Sequence, residues 1–206
     1  MSGNLSPAPV ITSERLHKAY SYAAYRHLLD ELLAQNRTTG PNQSEQFIRY
    51  AHLNIKRMQR LDKTIRLLPE LQQALAQLPR RYVWLIITEG WCGDAAQLVP
   101  VFEAIAQASH SQLTTRYVLR DDNPDLMARY LTNGSRAIPR LMVLHADALN
   151  EAAAWGPRPA PAQELCVRLK KAGVPYEEFA TQLHGWYAKD KTLSTQRELL
   201  ALIQRL

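Results

Sequence analysis

The sequence predicts an α/β fold in which helical extensions flank a central sheet on both sides. Three patterns support this prediction. Apolar residues recur at helical spacing between Ser13 and residue 79, strand-like segments then alternate with helical ones, and helical spacing returns after Pro157. Strands that alternate with helices along a chain are typical of α/β proteins.

The first predicted helix follows a polar leader. Residues 1–12 are small, polar and proline-containing, so we expect a flexible leader there. From Ser13 to Gln35 apolar residues recur at helical spacing, and Thr12 or Ser13 can cap the start. We therefore predict a helix over Ser13 to Gln35.

Two further helices complete this N-terminal region. The stretch NRTTGPNQ breaks the first helix, and Ser44 begins a longer one with an apolar stripe along one face. Pro69 fits the first turn of a short third helix, because a proline inside a helix costs about 3 kcal/mol. The stripe favours packing into a core over a coiled coil or a cofactor site. We predict that residues 13–79 form an N-terminal helical extension.

The pattern changes to strands near residue 81. Residues 81–89 form a continuous β-branched and aromatic run, which is typical of a strand buried on both faces. Further strands are predicted in the segments TTRYVLRD, RLMVLH and DALNEAAAWG. The last predicted helices are AQELCVRLKKAG, YEEFATQLHGWYAKD and TQRELLALIQRL. We predict an α/β domain over residues 80–173 and, over residues 174–206, C-terminal helices packed on it.

Composition and charge exclude several classes of protein. With 46% hydrophobic and 21% charged residues, the 206-residue chain can bury a substantial core. No apolar run reaches the roughly 18 residues of a membrane span, and the N-terminal sequence lacks a secretory pattern. We therefore expect a cytoplasmic protein without a membrane partner. The net charge of +6 is spread along helical faces and lacks the basic block of a nucleic-acid-binding protein.

The cysteine and histidine pattern argues against a metal centre. The two cysteines, Cys92 and Cys166, are too few for a disulfide scaffold or a cysteine-rich zinc site. The six histidines form no HExxH motif and no Cys/His ligand cluster. We therefore predict neither a metal nor another cofactor.

One of the cysteines lies where a helix can activate it. Cys92 falls in the sequence Trp91-Cys92-Gly93-Asp94-Ala95, at the junction between a predicted strand and the next helix. A helix N-terminus offers free N–H groups and a partial positive charge, which favour the reactive thiolate. The Asp94 carboxylate opposes this effect, because a nearby negative charge raises the pKa of a thiol. The two effects are of similar size, so the sequence alone leaves the state of Cys92 open.

Together with Ile138-Pro139 before the next strand, this motif resembles the thioredoxin-like superfamily. The similarity runs from Tyr82 to Lys171, and the longer pattern, with WCGDA in place of the dithiol WCxxC, resembles a bacterial branch of the superfamily. The resemblance implies a thioredoxin fold with a central mixed sheet. It also implies that Cys92 is the nucleophile, that Pro139 is a cis-proline, and that the Ile138 backbone docks an extended substrate.

Two departures from this family change the expected chemistry. Ala95 replaces the resolving cysteine of the dithiol motif, and Ile86 replaces the buried acid that assists it. The usual intramolecular disulfide cycle is therefore excluded at this motif. A single thiolate can still form a mixed disulfide that another thiol releases. We expect Cys166, in a predicted helix, to be a buried structural cysteine and not a resolving thiol.

Several residues next to Cys92 have alternative interpretations. We expect Trp91 to pack as a lid and Gly93 to line the site. Asp94 is either a residue that complements the start of the helix or a proton relay. Glu89 is either a base or a solvated acid at the end of a strand, and the solvated acid is the favoured interpretation.

Charged residues also flank the predicted cis-proline. Arg136 and Arg140 lie on either side of Pro139, where they are either solvated or attract an acidic peptide or a glutathione carboxylate. We interpret the segment 155–159, with the sequence WGPRP, as a rigid turn without a functional role. We interpret His184 as a packing residue.

The sequence supports two main functions. The first is a monothiol oxidoreductase that forms mixed disulfides with protein or glutathione thiols through Cys92. The second is a redox-inactive module of the same fold that binds a peptide or a protein. Glutathione conjugation is a third alternative, although glutathione transferases place their helical domain after the fold. The N-terminal helices either pack against the sheet or build a homodimer.

Overall fold

The computed structural model describes residues 10–206 and is built around a four-stranded mixed sheet. The strands are β1 (Tyr82–Thr88), β2 (Leu113–Leu119), β3 (Arg140–His145) and β4 (Glu151–Trp155). Their spatial order is β2-β1-β3-β4. β2 is parallel to β1, whereas β3 is antiparallel to both β1 and β4. The prediction of a mixed α/β sheet with helical extensions is confirmed.

β1 lies inside the sheet and is almost entirely buried. Trp84, Leu85, Ile86 and Ile87 are fully shielded from solvent, as expected for a strand with an uninterrupted apolar sequence. The helix α5 (Gly93–Ala108) makes the crossover that parallel pairing of β1 and β2 requires. A short helix, α6 (Pro124–Arg129), follows β2. The start of α5 therefore lies directly after the most buried strand.

The helices of the N-terminal region differ from the prediction at one point. They are α1 (Ser13–Lys18), α2 (Tyr22–Ala34), α3 (Glu45–Thr64) and α4 (Pro69–Ala76). The single helix predicted over Ser13 to Gln35 is wrong, because the chain leaves helical geometry around Tyr20. Tyr20 exchanges two backbone hydrogen bonds of 2.9 Å with Tyr117 on β2. This pairing covers part of a sheet edge, and it overrides the helical spacing of the side chains. Residues 1–9 of the predicted leader lie outside the described residues.

The N-terminal helices pack against the sheet and against α5. The Tyr25 ring on α2 stacks on Tyr117, with ring centres 5.5 Å apart. The Tyr25 hydroxyl also lies 3.2 Å from Thr88 Oγ1 at the end of β1. α3 packs along α5, so the N-terminal region reaches the strand and the helix that flank Cys92. A homodimer through these helices stays a prediction.

The C-terminal helices are fastened to the sheet by side-chain hydrogen bonds. These helices are α7 (Ala160–Lys171), α8 (Tyr176–Asp190) and α9 (Leu193–Ile203). Glu198 on α9 accepts hydrogen bonds from Trp155 Nε1 at 2.8 Å and from the Ala160 N–H at 2.6 Å. α8 packs against both α7 and α5, which brings it to the site described below. None of the helices between residues 10 and 206 has the length and apolar character to span a membrane.

Candidate functional site at Cys92

The turn after β1 places Cys92 at the start of α5. Cys92 is the N-cap residue of this helix, and its Sγ accepts a hydrogen bond from the Ala95 N–H at 3.5 Å. The thiol donates in turn to the Ile138 carbonyl oxygen, which lies 3.4 Å from Sγ. The Ile138–Pro139 peptide bond is cis. The fold therefore brings the Cys92 sulfur into direct contact with the backbone that precedes Pro139.

Side chains from the N-terminal region hold the loop that carries Cys92. The Gly90 N–H donates to Thr39 Oγ1 at 2.9 Å, and the Gly90 carbonyl oxygen accepts from Asn54 Nδ2 at 2.9 Å. Gly90, Thr39 and Asn54 are all buried. Because buried backbone groups need hydrogen-bond partners, these contacts fix the approach of the chain to Cys92.

Glu89 is fully buried, which corrects the expectation of a solvated acid at the end of β1. Its carboxylate accepts hydrogen bonds from the Thr39 hydroxyl and, at 3.0 Å, from the Asp121 N–H. Burial raises the pKa of Glu89, and these two hydrogen bonds only partly offset the rise.

The backbone approaches closely at Gly40, the residue after Thr39. Gly40 has φ +76°, and a Cβ there would lie 2.9 Å from Asp121 Oδ2, so this position requires glycine.

Asp94 forms a buried ion pair with Arg158. Its Oδ2 lies 2.7 Å from Arg158 Nη2, and the two side chains are 8% and 14% exposed. The Tyr187 hydroxyl donates to Asp94 Oδ1 at 2.7 Å. Burial by itself would lower the pKa of Arg158, but the Asp94 carboxylate outweighs burial and raises it. The guanidinium is therefore charged, and Asp94 ties the start of α5 to α8 and to the segment after β4.

The electrostatics of the site keep the Cys92 thiol protonated. Burial and, second, the Asp94 carboxylate raise the pKa of Cys92 to about 12. The Ala95 N–H and the Arg158 guanidinium lower it by less. Cys92 is only 7% exposed, so a thiolate would lose most of its hydration. The sequence leaves open whether the helix N-terminus or the Asp94 carboxylate has the larger effect on the pKa of Cys92. In the structure, burial and the carboxylate together outweigh the helix, so Cys92 is a thiol and not a thiolate.

α8 reaches the motif through His184. A Cβ atom on Gly93 would lie 2.8 Å from His184 Nε2 and 2.9 Å from Cε1, so a larger residue there would force the imidazole ring to shift. His184 Nδ1 also forms a hydrogen bond of 3.2 Å with Gln97 Nε2 on α5. Burial and, second, Arg57 lower the pKa of His184 to about 4, so the ring is neutral at pH 7. His184, which the sequence indicated as a packing residue, therefore also lines the site.

Trp91 packs beside Cys92 between an aromatic ring and a guanidinium. Its ring centre lies 5.1 Å from that of Phe47 and 4.6 Å from the Arg120 guanidinium carbon. Arg120 and Arg136 share the Asp121 carboxylate, at 2.9 and 3.0 Å. These contacts join the indole to a cluster of charged residues at one side of the motif.

A pocket of about 390 Å³ opens onto Cys92. It is lined by residues 91–94, by residues 135–138, by Arg120 and Arg158, and by side chains of α7, α8 and their connection. Of the two arginines beside Pro139, which the sequence left as either solvated or attracting an acidic ligand, Arg136 lines this pocket and Arg140 does not. The Arg140 guanidinium donates instead to the Gly156 carbonyl oxygen, and the side chain is half-buried.

The sequence comparison decides the family. The sequence model of a family described as Thioredoxin matches residues 40–173, which is more than half of the chain. The chain belongs to the thioredoxin family. A thioredoxin from Porphyra purpurea is 40% identical over 53 residues, which are 26% of this chain and 47% of that protein. Thioredoxin 1 from Synechococcus elongatus is 38% identical over 53 residues, again 26% of this chain and 47% of that protein. The chain thus spans about half the length of these curated relatives.

Solved structures share the fold over nearly the whole chain. A protein of unknown function from Pseudomonas aeruginosa has a TM-score of 0.56 at 19% identity and covers 90% of this chain and 98% of its own. An HIV epitope scaffold has a TM-score of 0.55 at 17% identity, with coverage of 91% and 99%. At these identities the likeness shows the fold alone.

This thioredoxin-family chain lacks a second thiol at its motif. Ala95 and Ile86, at the positions of the resolving cysteine and the buried acid, are both buried in the apolar core. Cys166 is 1% exposed on α7, and burial raises its pKa. The prediction that Cys166 is buried is confirmed, and both cysteines are free. Within residues 10–206, no cluster of three or more His, Cys, Asp or Glu side chains is arranged to hold a metal ion.

Arg158, the ion-pair partner of Asp94, was not predicted from the sequence to be a site residue. The sequence indicated a rigid turn without a function there, whereas in the structure Arg158 lines the pocket of Cys92. The flanking Pro157 and Pro159 indicate a rigid segment, but no local pattern identifies Asp94 as the partner. Thr39 was missed for the same reason, because its partner Glu89 lies 50 residues away along the chain.

Proposed function

We propose that this thioredoxin-family protein is a monothiol oxidoreductase that exchanges disulfides through Cys92. The position of the Cys92 sulfur carries the proposal. It lies at the N-terminus of α5, 3.4 Å from the Ile138 carbonyl oxygen, and lines a pocket of about 390 Å³. A sulfur at a helix N-terminus is placed for nucleophilic attack once it loses its proton.

The proposed exchange has two steps. Cys92 loses its proton to a base in solution, and its sulfur attacks a substrate disulfide R–S–S–R. The Cys92–S–S–R bond forms, the substrate S–S bond breaks, and RS⁻ leaves and takes up a proton. A second thiolate R′S⁻ then attacks the sulfur of R, so that R–S–S–R′ forms and Cys92 leaves as a thiolate. Because residue 95 is alanine, R′S⁻ comes from a protein thiol or from glutathione.

The raised pKa of Cys92 slows both steps of the exchange. It makes the first step slow at neutral pH, since few molecules carry the thiolate at a given time. It also makes Cys92 a poor leaving group, because thiols of lower pKa leave faster. The mixed disulfide therefore persists until another thiol releases it. A compartment rich in free thiols, the cytoplasm, suits this chemistry.

A redox-inactive module that binds a peptide or a protein is the second candidate. The observation that favours it is the state of the thiol, which is protonated, 7% exposed and hydrogen-bonded to Ile138. In that function Cys92 acts as an N-cap of α5 and as a packing residue, and the pocket binds its partner without covalent chemistry.

Trapping with a neutral disulfide separates the two candidates. The protein is incubated with hydroxyethyl disulfide at pH 8.5 and its intact mass is measured, for wild type, Cys92→Ser and Cys166→Ser. The monothiol proposal expects one adduct on wild type and on Cys166→Ser, and no adduct on folded Cys92→Ser. Equal trapping by the two variants would overturn the assignment of Cys92. Absence of any adduct on folded protein would favour the binding module.

A further inference from the structure

The pocket at Cys92 carries an excess of positive charge. The cationic side chains that line it are Arg120, Arg136, Arg158 and Lys170. Asp94 neutralises Arg158, and the single carboxylate of Asp121 is shared by Arg120 and Arg136. Lys170 makes no ion pair within residues 10–206. The four cationic side chains are paired with only two carboxylates, so the pocket carries an excess of two positive charges. Such a surface attracts anions.

Aromatic and apolar side chains also line the pocket. Tyr176 and Phe179 at the start of α8 stack with ring centres 6.3 Å apart and an interplanar angle of 19°. Val174 and Leu183 extend this apolar wall, while Trp91 lines the pocket near Cys92. The pocket thus combines cationic with apolar side chains, a combination that fits a ligand with carboxylates at its ends and a less polar middle.

The C-terminal helices restrict what can reach the backbone before Pro139. Residues 135–138 line one part of the pocket, and residues 174–184 of the α7–α8 connection and α8 line another. Ile138 is 4% exposed, and its carbonyl oxygen is already bonded to the Cys92 thiol. A protein substrate that docks as an added strand needs a free backbone edge. A volume of about 390 Å³ lies instead in the range of small-molecule pockets.

On the basis of the proposed monothiol function, we infer that the disulfide substrate of Cys92 is a small molecule that carries carboxylates, the class to which oxidised glutathione belongs. Its carboxylates bind at Arg136 and Lys170, and its apolar part packs on Tyr176. Attack by Cys92 then yields one mixed disulfide on the protein and one molecule of the reduced small thiol, so atoms and electrons balance.

The test compares three small disulfides of different charge on the Cys166→Ser protein. The probes are oxidised glutathione (anionic), hydroxyethyl disulfide (neutral) and cystamine (cationic), at one pH and one ionic strength. The rate of adduct formation on Cys92, measured by intact mass, is divided by the rate of the same disulfide with free mercaptoethanol. We expect the normalised rate to be about tenfold higher for oxidised glutathione than for cystamine, and to fall with added salt.

Variants that remove a charge inside or outside the pocket test whether the preference for an anionic disulfide arises in the pocket. Lys170→Gln and Arg136→Gln should each lower the ratio of the anionic to the neutral rate by about fivefold, which corresponds to the loss of one charge contact. Lys171→Gln removes the neighbouring exposed charge outside the pocket and should leave this ratio unchanged.

Two kinds of failure are distinguishable. Equal normalised rates for the three disulfides, or a faster reaction of cystamine, would overturn the anionic substrate class and leave the monothiol function intact. A disulfide-bonded peptide that reacts faster than oxidised glutathione would overturn the small-molecule class in the same way. No adduct with any probe on folded protein would overturn the inference together with the proposed function.

Discussion

Asp94 Oδ2 and Arg158 Nη2 lie 2.7 Å apart in the pocket that contains the Cys92 thiol. The two charges act on the thiol in opposite directions, since Asp94 raises the pKa of Cys92 and Arg158 lowers it. Because they are paired, neither acts alone, and burial remains the largest influence on the thiol. Burial therefore accounts for most of the raised pKa of Cys92, and the Asp94–Arg158 pair adjusts it.

Asp94→Asn should activate Cys92. The substitution removes the charge that opposes the thiolate and leaves Arg158 without its carboxylate, so both changes lower the pKa of Cys92. We expect alkylation by iodoacetamide at pH 8 to become about tenfold faster, equivalent to one pKa unit. Intact mass in a Cys166→Ser background measures the rate. Asp125→Asn, a change at an exposed acid paired with Arg15, is the control and should have no effect. An unchanged rate in Asp94→Asn would show that the carboxylate does not govern the thiol.

Breaking the Asp94–Arg158 pair should destabilise the fold. Arg158→Met leaves a buried carboxylate with Tyr187 as its remaining hydrogen-bond donor, so the free energy of unfolding should fall by about 3 kcal/mol or more. The double variant Asp94→Leu, Arg158→Met should recover most of the loss, because no unpaired charge stays buried. Urea unfolding measures each value. Arg49→Met, at an exposed pair with Glu177, should change stability by less than about 1 kcal/mol. An equal loss of unfolding free energy in Arg158→Met and Arg49→Met would contradict a larger contribution of the buried pair.

Gly93→Ala should disturb the contact between the motif and α8. A methyl group there meets the His184 ring at 2.8 Å, and such overpacking costs about 1–3 kcal/mol. Gly185→Ala is the matched control on α8, where a Cβ meets nothing within 4 Å and the better helix propensity adds about 0.5–1 kcal/mol. Adding His184→Ser to Gly93→Ala should restore stability. Thermal unfolding of the four proteins tests this, and a neutral Gly93→Ala would refute the contact.

Glu89 should make stability fall as pH rises above about 4.5. Its pKa in the folded state is raised above the ordinary value of 4.5, so the folded protein binds this proton more tightly than the unfolded chain. The contribution is complete below the unfolded pKa and is lost as pH rises through the folded pKa. Glu89→Gln should therefore gain stability relative to wild type between pH 4.5 and pH 8, measured by urea unfolding. Asp122→Asn, at the exposed acid beside Asp121, should show no such trend. A constant difference between Glu89→Gln and wild type would rule out the shift.

Local sequence patterns predicted the order of elements and the position of the thiol. The apolar run of β1 and the Trp91-Cys92-Gly93 motif are each contiguous, so residue spacing is enough to place them. The burial of Cys166 was predicted correctly from its place in a predicted helix among apolar residues. These features depend on neighbours that are close in the chain.

The features that the sequence did not predict depend on distant partners. The helix break at Tyr20 exists because of pairing with Tyr117, 97 residues along the chain. The burial of Glu89 depends on Thr39, and the fixed position of Asp94 depends on Arg158 and Tyr187. No local periodicity contains these contacts, and of the groups they involve, Asp94 and Arg158 also act on the pKa of Cys92.

The pH profile of mixed-disulfide formation at Cys92 tests the central claim most directly. The Cys166→Ser protein is reacted with hydroxyethyl disulfide from pH 6 to pH 10 and analysed by intact mass, with circular dichroism as a check on folding. The account predicts an adduct on Cys92 whose rate rises about tenfold per pH unit without a plateau, because the pKa of this thiol is raised to about 12. A plateau with its midpoint below the free-thiol value of about 8.5 would contradict the protonated resting thiol. No adduct on folded protein at pH 10 would contradict exchange through Cys92.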